Sequence, residues 1–138
     1  MTLRGEIIME KPVFKRKIYH EILEWKQNRS DKYALLIKGA RRVGKSTIVE
    51  EFAKNEFKSY VIIDFAHTSR EIIELFDDIY NLDFFFLQLQ QFTGTRLYEN
   101  ESVIIFDEVQ LMPKARQAIK YLVADGRYKY IAVSYTHL

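Results

Sequence analysis

The sequence contains no cysteine, and its 138 residues include only three histidines and two prolines. The lack of cysteine excludes disulfides, thiolate metal sites and cysteine nucleophiles, and it is typical of proteins in a reducing cytoplasm. The histidines, His20, His67 and His137, are far apart in the sequence and do not show the spacing of metal ligands. Nothing in the sequence therefore supports a structural zinc site.

Long apolar runs and a strong excess of charge are also lacking. No apolar segment approaches the length that spans a bilayer, and the first twelve residues, MTLRGEIIMEKP, lack the apolar region of a signal peptide. The net charge of +2 is no general reason to expect nucleic acid or an anionic membrane as a partner. The apolar content of 48% is sufficient for one continuous core. We therefore predict a soluble, cytoplasmic protein in which residues 1–138 form a single domain, with no membrane partner.

Helix-like and strand-like segments alternate along the chain. Apolar residues at helical spacing predict helices over residues 13–28, 46–55, 70–80, 82–92 and 113–124. Short apolar runs predict buried strands over residues 33–38, 59–65, 102–108 and 127–134. This alternation predicts an α/β fold with a parallel sheet, right-handed crossovers and helices on both faces, with the nucleotide-binding core over residues 33–133.

The helix predicted over residues 82–92 contains the run FFFLQLQQF. This run is apolar on most sides of a helix, so we expect the helix to be largely covered. Core packing explains its aromatic residues better than a binding platform does.

A glycine-rich motif lies between the first predicted strand and the helix that follows it. Residues 39–46, GARRVGKS, match the pattern G-x-x-x-x-G-K-[S/T], in which backbone N–H groups and a helix N-terminus converge on phosphates. We predict that Lys45 reaches the β- and γ-phosphates, that Ser46 binds Mg²⁺, and that Thr47 adds a hydrogen bond. The predicted nucleotide-binding residues are Gly39, Ala40, Arg41, Arg42, Val43, Gly44, Lys45, Ser46 and Thr47. A glycine turn with a surface lysine is the alternative, and the strand and helix that flank the motif argue against it.

Two acidic residues follow a later strand. The segment VIIFDE, residues 103–108, places Asp107 at the carboxyl end of a buried strand, where ligands bind in parallel α/β sheets. We predict that Asp107 holds Mg²⁺, which needs few carboxylates, and that Glu108 is the general base that activates the attacking water. A solvated strand end is the alternative for an isolated pair, and the preceding phosphate loop makes the catalytic interpretation the stronger one.

Several other residues have less specific patterns. Arg41 and Arg42 could approach phosphate or a neighbouring subunit, or could be solvated loop residues. Gln110 could orient water or sense the γ-phosphate, but a surface glutamine beside a helix is the preferred interpretation. Asp64 also ends a strand, and a structural strand-end carboxylate is preferred over a catalytic role.

Together these segments resemble the bacterial and archaeal AAA-type P-loop ATPases whose chains carry a poorly characterised C-terminal domain. The resemblance rests on the leading helix, ALLIKGARRVGKST, IDF, FDEVQ and ARQAIKYLVADGRY, and it covers about residues 13–131. It implies a three-layer P-loop NTPase sandwich of the additional-strand catalytic glutamate type. In this arrangement the fourth strand lies between the phosphate-loop strand and the magnesium strand, so the implied order is second, third, fourth, first.

The resemblance fails at the end of the sequence. Related chains continue with a polar segment similar to TGS, whose hydroxyl senses the γ-phosphate, whereas this chain has AVSYTHL at residues 132–138. Ser134 is the nearby hydroxyl that could take this role. We expect a core truncated after the fourth strand, with an aberrant tail and without the lid, the arginine finger and the C-terminal domain. Turnover should then be slow, and the first strand should be an exposed edge that leaves the fold marginally stable.

These features predict ATP binding and Mg²⁺-dependent hydrolysis. A nucleotide-gated switch with little turnover is the main alternative, and a small-molecule kinase is disfavoured because no acceptor pocket or basic lid is evident. ATP is preferred over GTP on the resemblance, because no guanine-reading motif is present. A homo-oligomer is one candidate assembly, and the missing C-terminal region is one candidate route to nucleic acid. Five basic residues form the other candidate surface for nucleic acid, which a solvated face explains better: Lys114, Arg116, Lys120, Arg127 and Lys129.

Overall fold

The computed structural model describes residues 5–9, 15–39 and 45–135, with the side chains of residues 45 and 46 left out of the description. Five strands and five helices follow one another along this part of the chain. The strands are β1 (Glu6–Met9), β2 (Leu35–Gly39), β3 (Ser59–Asp64), β4 (Ser102–Asp107) and β5 (Lys129–Tyr135). The helices are α1 (Lys15–Asn28), α2 (Lys45–Glu56), α3 (Arg70–Leu75), α4 (Leu82–Thr93) and α5 (Pro113–Asp125). The predicted α/β class is therefore confirmed.

The strands form one parallel sheet in the order β1-β2-β5-β4-β3. The predicted first, second, third and fourth strands are β2, β3, β4 and β5. Their order in the sheet is the one that the resemblance implied, with β5 between β2 and β4. Because all five strands are parallel, their carboxyl ends lie at the same edge of the sheet.

The prediction that the phosphate-loop strand is an exposed edge was wrong. The four residues of β1 pair with β2 from Glu6 opposite Leu36 to Met9 opposite Gly39. Ile7 and Met9 are both buried, whereas Ile8 points away from them and is 51% exposed. A four-residue strand carries little sequence signal of its own, because its hydrogen bonds come from a partner that is distant in sequence.

Alternate residues of the strands supply two separate cores, one on each face of the sheet. On β4, Val103 and Ile105 pack towards α1 and α2, whereas Ile104 and Phe106 pack towards α3, α4 and α5. This period-two alternation explains why the central strands read as continuous apolar runs, since both faces are covered. The sheet is therefore the middle layer of a three-layer sandwich.

Two helix predictions need correction. The segment predicted as one helix over residues 70–80 contains α3 and then a 3-10 turn over Phe76–Asp78. Helix α4 is not covered on most sides, because Phe84 is 48% and Leu87 is 61% exposed. The side chains of α4 that reach the core are Leu82, Phe85, Phe86 and Leu89. Only this one stripe of the helix faces the sheet, so the apolar run extends beyond what packing requires.

Candidate active site

Four strand ends lie together at the carboxyl edge of the sheet, and each of them belongs to a sequence motif or is the neighbour of one. Gly39 at the end of β2 lies opposite Tyr135 at the end of β5, and Asp64 at the end of β3 lies opposite Asp107 at the end of β4. In open α/β sheets ligands bind outside this edge. The phosphate-loop strand and the strand of the acidic pair therefore face the same ligand-binding side.

The phosphate-loop motif begins in the described part of the chain and continues outside it. Gly39 ends β2, and a Cβ atom at this position would meet the backbone carbonyl oxygen of Met9 in β1, so a side chain has no room here. The predicted binding residues Ala40, Arg41, Arg42, Val43 and Gly44 lie outside the described residues, as do the side chains of Lys45 and Ser46. Helix α2 starts at Lys45, and Thr47 is exposed in its first turn. The described backbone thus places the end of β2 directly before residues 40–44 and the start of α2 directly after them, the order on which the predicted phosphate site depends.

The acidic pair lies at the junction between β4 and a tight turn. The Asp107 carboxylate accepts a hydrogen bond from the backbone N–H of Glu108 at 3.0 Å, and its carbonyl oxygen accepts one from Phe65 at 3.0 Å. Glu108 is buried to 7% exposure and has φ 57° and ψ 42°, the left-handed region. A residue other than glycine in the left-handed region costs about 1–3 kcal/mol of conformational strain, and such residues cluster at active sites. The backbone strain coincides with the residue that the sequence predicts to be the base.

Gln110 lies two residues beyond Glu108 and contacts it directly. Its side-chain Nε2 donates to the Glu108 carboxylate at 2.8 Å, and its Oε1 accepts from the backbone N–H of Tyr135 at 3.3 Å. Gln110 is partly exposed beside a helix, as the preferred interpretation had it, but both ends of its amide are engaged at the strand ends. The FDEVQ segment contains this residue, but sequence spacing alone does not reveal a bond to a strand 25 residues away.

Asp64 has a local structural role in the loop after β3. One carboxylate oxygen accepts from the backbone N–H of Ala66 at 3.0 Å, and the other contacts His67 Nδ1 at 2.9 Å. The hydrogen bond and charge of Asp64 raise the pKa of His67, and the charge of Glu108 raises it further. His67 was not a predicted site residue, although its position three residues after a strand-end carboxylate is a signal that could have found it. His67 is therefore a titratable group whose pKa responds to the charge of Glu108.

Ser134 and Asp107 also bear on the binding of a γ-phosphate or a metal ion. Ser134, the suggested hydroxyl sensor, is buried in β5 next to Tyr135. Asp107 offers one hard carboxylate ligand, which suits Mg²⁺ because this ion keeps several waters and takes few protein carboxylates. Within the described residues no group of three or more His, Cys, Asp or Glu side chains could hold a metal ion.

The basic residues on and after α5 are largely committed to ion pairs. Three of the five have an aspartate partner: Lys114 with Asp77 at 2.5 Å, Arg127 with Asp83 at 2.6 Å, and Lys129 with Asp31 at 2.7 Å. Pairing reduces the positive charge that this face could offer to a phosphate backbone. The interpretation of these five residues as a solvated face stays a prediction, because the side chains of Arg127 and Lys129 are only 29% and 12% exposed.

The structure also has a groove away from the strand ends just described. A cavity of about 640 Å³ lies between α5 and the amino end of β2, and Tyr33, Leu36 and Val123 line it. It is therefore at the opposite end of β2 from Gly39.

Among the described residues, none of the helices combines the length and the apolar composition that a membrane span needs.

One family model, described as an AAA domain, matches residues 31–136. The matched segment makes up most of the chain and contains the whole glycine-rich motif, Asp107, Glu108 and Gln110. No curated protein matches the chain.

Proposed function

This chain belongs to the AAA domain family, as its motifs predicted, and we propose that it binds ATP together with Mg²⁺ and hydrolyses it. The family is one of nucleotide-binding modules, and hydrolysis is the more specific part of the proposal. The observation that carries it is the position of Glu108, a buried carboxylate in a strained conformation beside Asp107 at the ligand-binding edge. A strained residue of this kind persists where the surrounding structure holds it, and the resulting preorganisation suits a catalytic base.

Binding of the nucleotide is assigned to the segment from Gly39 to Thr47. Backbone N–H groups of this segment and the start of α2 supply the positive field for the phosphates, and Lys45 adds a charge near the β- and γ-phosphates. Ser46 and Asp107 would hold Mg²⁺, which neutralises charge that develops on the phosphate oxygens. These proposed roles are supported by the position of the motif between β2 and α2 and by the shared strand edge.

Hydrolysis is assigned to Glu108. A water oxygen forms a bond to the γ-phosphorus, the bond to the bridging β–γ oxygen breaks, and ADP leaves with that oxygen. Glu108 accepts the proton of the attacking water, which a carboxylate beside the γ-phosphate can do as a general base. The low exposure of this side chain restricts competing contacts with bulk water.

A nucleotide-gated switch with little turnover is the second candidate. It is favoured by the two hydrogen bonds of the Gln110 side chain, to Glu108 and to the backbone of Tyr135, because they link this carboxylate to a neighbouring strand end whether or not turnover follows. In this case ATP binding would change the conformation of the strand ends, and hydrolysis would be incidental.

The test is a titration with a fluorescent ATP analogue and Mg²⁺, with phosphate release followed in parallel. Lys45→Ala should weaken nucleotide binding at least about tenfold, since it removes the cation that contacts the phosphates. Glu108→Gln should retain binding and lose about a hundredfold or more in turnover, because the amide cannot accept the proton.

Exposed residues of the same types serve as controls in this experiment. Lys120→Ala in α5 and Glu74→Gln in α3 should leave binding and turnover unchanged. Binding by the parent chain without turnover would favour the switch over the hydrolase. A folded parent chain that does not bind nucleotide would contradict both candidates.

A further inference from the structure

The turn that carries Gln110 is held firmly to the core. Val109 is fully buried in the core beneath α3, α4 and α5, and the turn is closed by Leu111 N–H to Glu108 O at 3.0 Å. A second bond, from Met112 N–H to Val109 O at 3.1 Å, continues the 3-10 turn into α5. The backbone of Gln110 therefore has little freedom, and its side chain starts from a defined position.

The chemistry of its two partners determines the orientation of the Gln110 amide. The Glu108 carboxylate accepts hydrogen bonds, so it requires the NH₂ group, and the backbone N–H of Tyr135 donates, so it requires the oxygen. The reversed amide would place oxygen against carboxylate and NH₂ against N–H. Only one orientation satisfies both contacts, and it links the base to the end of β5.

The end of β5 is in turn the neighbour of the phosphate-loop strand. Tyr135 pairs with Gly39, the last residue of β2 and the first of the glycine-rich motif. A shift of Gly39 during phosphate binding would therefore act on Tyr135 through the sheet. The two bonds of Gln110 extend this path to Glu108, with the 3.3 Å contact to Tyr135 as its longer and weaker step.

We propose that Gln110 is a positioning residue that couples the phosphate-loop end of the sheet to the orientation of Glu108. Nucleotide binding displaces the strand ends at Gly39 and Tyr135, and the Gln110 amide transmits this displacement to the carboxylate. The inference rests on the proposed function, because it assigns a role to Glu108 in hydrolysis. It adds a residue that acts through the base and touches neither the nucleotide nor the attacking water.

The kinetic test uses Gln110→Met, which retains most of the side-chain volume but can form neither bond. Nucleotide affinity should stay within about twofold, and kcat should fall about tenfold to a hundredfold, as expected for the loss of a hydrogen bond to a charged group. In the Glu108→Gln background the same change should have almost no further effect, because a residue that acts through the base has nothing left to position. Gln117→Met, at an exposed position of α5, is the matched control and should leave kcat unchanged.

A second readout does not depend on turnover. In ¹⁵N NMR spectra, ATP with Mg²⁺ should move the Gln110 side-chain amide signal and the Tyr135 backbone signal together. In ¹³C spectra, Gln110→Met should abolish the response of the Glu108 side-chain carboxyl signal. Nucleotide binding that moves signals around Lys45 but leaves the Gln110 amide unchanged would overturn the inference alone. Equal losses in kcat from Gln110→Met in the parent and Glu108→Gln backgrounds would also overturn it. If the folded chain binds no nucleotide, the inference fails together with the proposed function.

Discussion

Strands β3 and β4 both end in an aspartate, and the two aspartates are register partners in the sheet. After Asp64 the chain forms a local turn in which the carboxylate binds Ala66 and His67, so its oxygens are committed within its own loop. After Asp107 the chain enters the left-handed region at Glu108 and buries a second carboxylate. A carboxylate at a strand end is therefore not a site by itself, because the conformation of the next residue decides what the strand end presents to a ligand.

The largest expected difference between the two aspartates is in Mg²⁺-dependent activity. Asp107→Asn should lower turnover about a hundredfold or more, because it removes a charged ligand from the proposed metal site. Asp64→Asn should keep turnover within about threefold, since its partners are in its own loop. Phosphate release and nucleotide affinity are measured for both variants over a range of Mg²⁺ concentrations. Equal losses in the two variants would show that the aspartates act as one unit.

A second test isolates the backbone strain at Glu108. Glu108→Gly and Glu108→Ala both remove the carboxylate and its bond to Gln110, so they differ only in the Cβ atom. Glycine adopts φ 57° without steric cost, so we expect the glycine variant to be more stable than the alanine variant by about 1 kcal/mol. Urea unfolding provides the measurement. At Glu74, on the exposed side of α3, the same pair should reverse, with alanine more stable by roughly 0.5–1 kcal/mol. An alanine variant of Glu108 that is as stable as the glycine variant would exclude strain at this position.

The smallest expected effect concerns the Asp64–His67 pair. The carboxylate raises the pKa of His67 above its ordinary value of 6.5, so Asp64→Asn should lower it, as an NMR titration of the ring signals can show. Because the folded-state pKa is raised, the pair adds stability that is fully present below pH 6.5. This stability is lost as the pH rises through the folded-state pKa. His67 is 82% exposed, so the effect on unfolding should be small.

The control for this titration is Asp77→Asn, which removes an aspartate that pairs with Lys114. It should leave the His67 pKa unchanged. A shift of the same size in both variants would mean that the general field of the protein, and not the contact with Asp64, sets the pKa of His67.

Most of the sheet could be predicted from the sequence because its central strands are covered on both faces. Continuous apolar runs such as VIIF in β4 are typical of buried parallel strands, and turn residues such as Asp125-Gly126 mark helix ends. Edge elements were harder to predict. Strand β1 has only four residues, and α4 has more apolar residues than its buried stripe needs. Sequence patterns report the covered elements well, because burial on both sides leaves the strongest composition signal.

The candidate site likewise has features that could be predicted from the sequence and features that could not. The glycine-rich motif and the acidic pair are local strings, so their residues and their places after β2 and β4 could be read directly. The left-handed conformation of Glu108 and the role of Gln110 could not, since both depend on how the turn after β4 packs beneath α5 and beside β5.

The sequence by itself determined the alternation of strands and helices and the chemistry available at the strand ends, because these depend on residue type and short-range periodicity. The tertiary structure alone decided that β1 completes the sheet beside β2, and that Gln110 joins Glu108 to Tyr135. Both are contacts between segments far apart in the chain. Their formation depends on the positions that the folded sheet gives to the partners, which no local pattern of residues specifies.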